Sequence, residues 1–310
     1  LSTLEQMLRK EKTGEDLRSV VRVMKSLSAV SIRQYDAAVS AMLDYHEVVD
    51  LGLQALLREA TLSSILVTPP PEASPAYIIV GSDRGLCGRF NDTVAERTAA
   101  AFAEGTVGAD GARILTVGIR AEGRIMARDI VPNQTIPVPN TADAIGETVQ
   151  TILMWLDEQR ESHQIGEVRV IYNRRTTQRL AETVEETLLP VTAERLSRLR
   201  EKPWPTRGLP SFTAEPEALF SKLTRELVFL GLFKAVGESL ASEHASRLAA
   251  MQRAEHHIED YLSELGTSIR EERQNSITQQ LLDIVASYAI MKERAEDTSR
   301  ETHRTSNPEQ

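Results

Sequence analysis

The sequence has 310 residues, with 36 Lys and Arg against 45 Asp and Glu for a formal net charge of -9. Apolar residues make up 41% and charged residues 26%, the balance of an ordinary globular protein with room for roughly two domains. The acidic balance argues against a nucleic-acid binder, which needs a basic excess to meet the phosphates.

The single cysteine, Cys87, excludes an internal disulfide framework and a multi-cysteine metal site, and suits a reducing compartment. No stretch approaches the roughly 18 apolar residues of a membrane-spanning helix. Residues 1–10 are amphipathic and mixed in charge, so no signal peptide or membrane anchor is expected. A peripheral place beside a membrane stays open.

Residues 1–68 form the first zone. Between positions 15 and 50 there is neither Pro nor Gly, and Leu17, Val21, Met24, Tyr35, Ala38, Met42, Tyr45 and Val49 recur in steps of three and four, with Ser28 and Ser31 on the same seam. That spacing predicts a long helix with a near-heptad stripe. The run TPPP at 68–71 breaks it.

Residues 69–210 read as an α/β domain. Short β-branched runs at 76–80, 113–117 and 167–172 are expected strands, and 134–138 an extended piece. Helices are expected at 91–103, 121–129 and 143–161. The alternation implies βαβ units and a mostly parallel, Rossmann-like sheet. A Pro-rich stretch at 203–210 closes the zone.

Residues 211–292 form a second long helix with Leu219, Leu223, Leu227, Leu230, Leu240, Leu248, Met251, Ile258, Leu262, Leu265 and Ile269 as its stripe. The next apolar residue on the stripe is Ile277, eight further on, followed by Leu281, Ile284, Tyr288 and Met291. The step resembles a stutter in a coiled coil, and the polar block REERQNS at 270–276 fills it. Residues 293–310 are polar and read as a disordered tail. Two seam-bearing helices at opposite ends of the chain bury their stripes by pairing antiparallel, as a left-handed coiled coil. The fold class is therefore α/β plus a long antiparallel coiled coil.

The glycine-rich segment GSDRGLCGRFN at 81–91 lies between a strand and a helix, where phosphates bind in α/β folds. Its spacing fits neither the dinucleotide nor the P-loop fingerprint, so a structural turn is the plainer reading. In that reading Gly85 supplies a positive φ, Asn91 or Asp92 caps the following helix, and Cys87 is a small buried hydrophobe without a local His partner. His244, His256 and His257 read as a solvated helix face, because adjacent helical residues point about 100° apart and do not converge on one metal. In the polar block, Arg273 can fork onto a carboxylate and Gln274 can donate and accept. From spacing alone, a contact surface for acidic partner loops and a solvated face stand level. No cofactor or metal is expected, and no catalytic constellation is present in the sequence order.

Four segments together resemble the gamma subunit of F-type ATP synthases. They are SDRGLCG at 82–88, ASEHASRLAAM at 241–251, RQNSITQQLLDIV at 273–285, and Met24-Lys25 in the first helix. The resemblance implies a non-catalytic rotor whose terminal helices enter a ring of alpha and beta subunits. Its α/β domain would hold the epsilon subunit and the ring of c subunits, at the cytoplasmic face of a bacterial inner membrane. It also implies that Arg273, Gln274 and Thr278, with Met24 and Lys25, contact the beta subunit. Ser82, Asp83, Arg84, Gly85, Cys87 and Gly88 would form a structural motif. Arg89-Phe90 in place of a second glycine, Gln280 in place of a Glu, and the altered first helix depart from the family pattern. They suggest a divergent lineage, with sodium-type bacterial synthases as one such, and leave the coupling ion open. The alternatives from the residues alone are an α/β enzyme binding a phosphorylated ligand and a coiled-coil scaffold.

Overall fold

The computed structural model describes residues 3–59, 73–104, 111–163, 165–205, 208 and 211–305. Along the chain run α1 (Thr3–Glu59), β1 (Pro75–Val80), α2 (Phe90–Glu104), β2 (Arg113–Val117), α3 (Ile119–Met126) and β3 (Gln134–Ile136). They are followed by α4 (Ile145–His163), β4 (Glu167–Arg174), β5 (Glu182–Leu189), α5 (Ala193–Glu201) and α6 (Pro216–Thr305). The chain divides into two compact units, residues 24–252 and residues 1–23 with 253–310.

The larger unit is built on a five-stranded sheet of order β3-β2-β1-β4-β5. The first four strands are parallel; β5 returns antiparallel on β4. Side chains alternate between two cores, as the two-residue period of a strand requires. Ala76, Ile78, Val80, Leu115, Val117, Val170 and Tyr172 face one side, where α4 adds Ile145, Val149 and Ile152 and α6 adds Val228, Leu232, Val236 and Leu240. Tyr77, Ile79, Ile114 and Ile171 face the other, under Val94, Phe102, Ala121 and Ile125 of α2 and α3. A smaller cluster joins Val49, Leu53 and Leu57 of α1 to Leu196 and Leu199 of α5 and Leu227 and Leu230 of α6. Within this unit α1 and α6 run antiparallel: Gly52 lies against Leu223 and Gly237 against Val39. Tyr35 stacks on His244 at 5.6 Å.

In the smaller unit the helices are again antiparallel. A Cβ on Gly14 would stand 2.7 Å from Leu262 Cδ2, so the two helices approach closely at this glycine. Arg22 donates to Glu255 at 2.7 Å and to Glu259 at 3.1 Å. Gly14 and Val21 on α1 and Leu265 and Ile269 on α6 are buried. Leu17, placed on the seam by the sequence reading, is exposed; Arg18, one residue on, is half-buried instead.

Three elements differ from expectation. The strand β5, ETVEETLL, carries three glutamates and gave no apolar alternation to read. The helix α5, AERLSRLRE, is short and charged; its N-cap is Thr192, whose side chain accepts from the backbone N–H of Arg195. The helix α6 extends to Thr305, past the point where the apolar pattern ends and a disordered tail is expected. Among the described residues no helix is long and apolar enough to cross a membrane.

Candidate functional site

The loop after β1 is fixed from beneath by its own side chains. Ser82 is fully buried. Its backbone N–H donates to Asn91 Oδ1 at 3.0 Å, and Asn91 Nδ2 returns a bond to Ser82 Oγ at 2.8 Å. Ser82 Oγ donates in turn to the Arg84 carbonyl at 2.8 Å. Asn91 is therefore occupied inside the loop, and because α2 opens at Phe90 neither Asn91 nor Asp92 stands at its N-cap, against the sequence expectation. Asp83 accepts from Ile119 N at 2.9 Å and from Val138 N at 3.1 Å, so one carboxylate ties the chain after β2 to the chain after β3.

Ile119 opens α3, and a helix N-terminus is where an anionic ligand would bind. Here the anion is Asp83 of the same chain. That geometry gives the loop a structural task in place of the phosphate cradle the glycines suggested.

The glycines act by close approach. A Cβ on Gly81 would stand 2.3 Å from Ala121 Cβ, and one on Gly118 within 2.7 Å of the Ser82 backbone. The left-handed residues of the turn are Leu86 (φ 63) and Gly88 (φ 64), and Gly85 is not among them. A leucine in that region is strained by about 1 kcal/mol or more and persists where surrounding bonds over-determine the loop. Cys87 is buried, as the sequence suggested, and burial together with the Glu243 carboxylate pushes its thiol up.

A further tie to this loop comes from α6. Arg247 and Glu243 are both buried and hydrogen-bonded to each other, and Arg247 Nη2 also reaches the Gly85 carbonyl at 3.4 Å. Burial raises the Glu243 carboxyl, opposed by the Arg247 charge, while Asp83 adds to the rise. His244 lies between them in sequence. Burial, then the charges of Arg247 and Arg84, lower it to about 4. It is a neutral ring stacked on Tyr35, which corrects the expected solvated face; His256 and His257 are exposed as expected.

Sequence reasoning missed the Glu243–Arg247 pair, since two opposite charges four residues apart on a helix look like a surface pair. A signal was available: SEHASRL sits within a segment of small and apolar residues that leaves little polar face.

The remaining expected residues lie elsewhere. Arg273, Gln274 and Thr278 are exposed on α6 in the smaller unit, and the Thr278 hydroxyl donates back to the Gln274 carbonyl at 2.9 Å. Met24 and Lys25 are half-buried on α1 and belong to the larger unit. Half-buried positions on α6 continue the heptad through Glu272 and Ser276. The apolar set moves one position to Ile277, Leu281, Ile284, Tyr288 and Met291, all more than half exposed. The stutter thus carries the stripe off the packed seam. Among the described residues no group of His, Cys, Asp and Glu could hold a metal.

A family model described as ATP synthase matches residues 3–291. The chain is similar to the ATP synthase gamma chain of Parafrankia sp. (strain EAN1pec), at 26% identity over 293 residues, covering 91% of this chain and 95% of that one. It is equally similar to that of Geotalea uraniireducens (strain Rf4), 26% identical over 299 residues and covering 94% and 100%. Among solved structures, a chain of the Euglena gracilis mitochondrial ATP synthase in rotational state 3 superposes with a TM-score of 0.62 at 16% identity, covering 93% of this chain and 94% of that one. A chain of the same enzyme's rotor in rotational state 1 gives 0.57 at 15% identity, covering 89% and 99%.

Proposed function

This chain belongs to the ATP synthase family, and from that membership we propose that it is the gamma chain, the rotor of the central stalk. It couples ion flow through a membrane ring of c subunits to ATP synthesis and hydrolysis in a head of alpha and beta subunits. The observation that carries the reading is the continuity of the match over residues 3–291, which takes in both terminal helices as well as the sheet. The chain makes and breaks no bonds of ATP itself; the chemistry belongs to the head.

The physical requirements of a rotor agree with the residues. A rod that transmits torque must be stiff, and two helices packed antiparallel on a heptad seam are stiffer than either alone. Its working surface must engage a sleeve without permanent adhesion. The stretch from Arg273 to Met291 offers ionic and amide groups first, then a row of exposed apolar side chains. Such a row is a liability on a free protein and fits a partner that encloses it.

In this reading Arg273, Gln274 and Thr278 catch loops of the beta subunit, with Met24 and Lys25 contributing from the first helix. Arg273 acts through bidentate pairing with a carboxylate. The sheet unit holds the epsilon subunit and the c-ring. The complex sits at the cytoplasmic face of a bacterial inner membrane, peripheral and not inserted, and has no nucleic-acid partner.

Affinity capture of the tagged chain from its own host tests the assignment. Recovery of alpha, beta and epsilon subunits is expected, and recovery without any beta subunit overturns it.

A further inference from the structure

The sheet and α6 meet across an apolar layer of Val228, Leu232, Val236 and Leu240. Apolar contact is non-directional: it holds two surfaces together but resists sliding or rolling weakly. A row of polar ties crosses the same junction. Lys234 donates to Glu186 at 3.2 Å. Glu238 lies 3.1 Å from the Tyr172 hydroxyl, which is 2.8 Å from Glu186. Ser242 donates to the Leu180 carbonyl at 2.8 Å. These three helical residues are spaced four apart and grip β4, β5 and the loop between them. The row ends at the buried Glu243–Arg247 pair, which holds Gly85 in the loop after β1. That loop is itself fastened by Asp83 to the chain after β2 and the chain after β3. The pair therefore acts on the central strand of the sheet, and Asp83 passes its hold to the two strands beyond.

We propose that Glu243 and Arg247 are positioning residues that key α6 to the sheet, so that force applied to the sheet turns the helix instead of slipping past it. This rests on the rotor reading. Arg247 Nη2 donates both to Glu243 Oε1 and to the Gly85 carbonyl, and the carboxylate fixes the orientation of the planar guanidinium that this requires. Truncating one partner would strand a buried charge, whereas replacing both with apolar residues of similar volume is often tolerated. The double replacement thus separates a keying role from a merely structural one.

The test uses the assembled membrane complex with Glu243→Met and Arg247→Met together, and separately with Arg247→Lys. The Lys variant keeps a positive charge beside Glu243 but lacks the planar, pre-oriented guanidinium. Two rates are read: ATP hydrolysis, and ions pumped per ATP hydrolysed. For the double variant, hydrolysis within about twofold of the unsubstituted complex and at least a threefold fall in ions pumped per ATP are expected. For Arg247→Lys, a smaller fall of the same kind is expected. Unchanged pumping per ATP in the double variant overturns the proposal. If that variant does not assemble, unchanged pumping in Arg247→Lys does so. Failure of the unsubstituted chain to assemble with a beta subunit would instead sink the rotor reading.

Discussion

The loop at 81–91 and the stretch of α6 from 273 to 291 both resemble the same family, yet they differ in what their side chains face. In the loop, Ser82, Asp83, Cys87 and Asn91 bond to the chain itself. In the helical stretch, Arg273, Gln274 and Thr278 are exposed. A motif can therefore be shared because it builds the fold or because it meets a partner. Burial and bonding distinguish the two, while sequence alone does not. Substitutions in the first should cost stability, and substitutions in the second should cost only function.

The largest effect is expected at the buried ion pair of α6. Arg247→Ala leaves Glu243 buried without its partner and should cost about 3–5 kcal/mol. Urea denaturation of the assembled complex would measure it, and a loss under about 1 kcal/mol would place Glu243 in solvent. Gly81→Ala forces a side chain against Ala121 and Asn91 and should cost about 1–3 kcal/mol as overpacking. A neutral result there would mean that α3 shifts freely. Asp83→Asn keeps the shape but offers one acceptor oxygen where two N–H groups need one each, so one bond is lost and the other weakened, at about 1–3 kcal/mol.

A fourth change sharpens the contrast by pH. His244 is held near 4 in the folded chain against an ordinary 6.5, so the unfolded chain binds its proton first. Its contribution to stability is full above about pH 6.5 and is lost as pH falls from there toward 4. His244→Phe should flatten the acid limb over that window, and an unchanged limb would contradict a half-buried neutral ring.

The smallest stability effect is expected for Arg273→Ala with Gln274→Ala, within about 0.5 kcal/mol because both are exposed. ATP hydrolysis in the complex should nonetheless fall. Unaltered turnover and torque would remove these two residues from the proposed catch.

The terminal helices were legible because seam positions recur in threes and fours over many turns, which only a packed helix pair needs. The parallel strands were legible because strands buried on both faces read as apolar runs. The strand β5 was not legible, because Glu182, Glu185 and Glu186 are held by arginines of the sheet or by Lys234. Their partners lie on β4, α2 and α6 and leave no apolar alternation to read. The candidate site was half legible. The loop's position between strand and helix could be read, but not the residue that fills the N-terminus of α3, since Asp83 lies 36 residues before Ile119. The left-handed turn was assigned to Gly85 on residue type, whereas Leu86 takes it; strain borne by a bulky residue depends on the bonds around it and has no signature of its own.

The seclusion of Cys87 has a practical consequence for watching this molecule at work. The chain's only thiol sits out of reach of solvent and resists ionising, and thiolate character governs the speed of alkylation. A cysteine introduced at an exposed helical position would outpace it in reaction with a maleimide dye. The native background need not be mutated away before a fluorophore is attached at a chosen point.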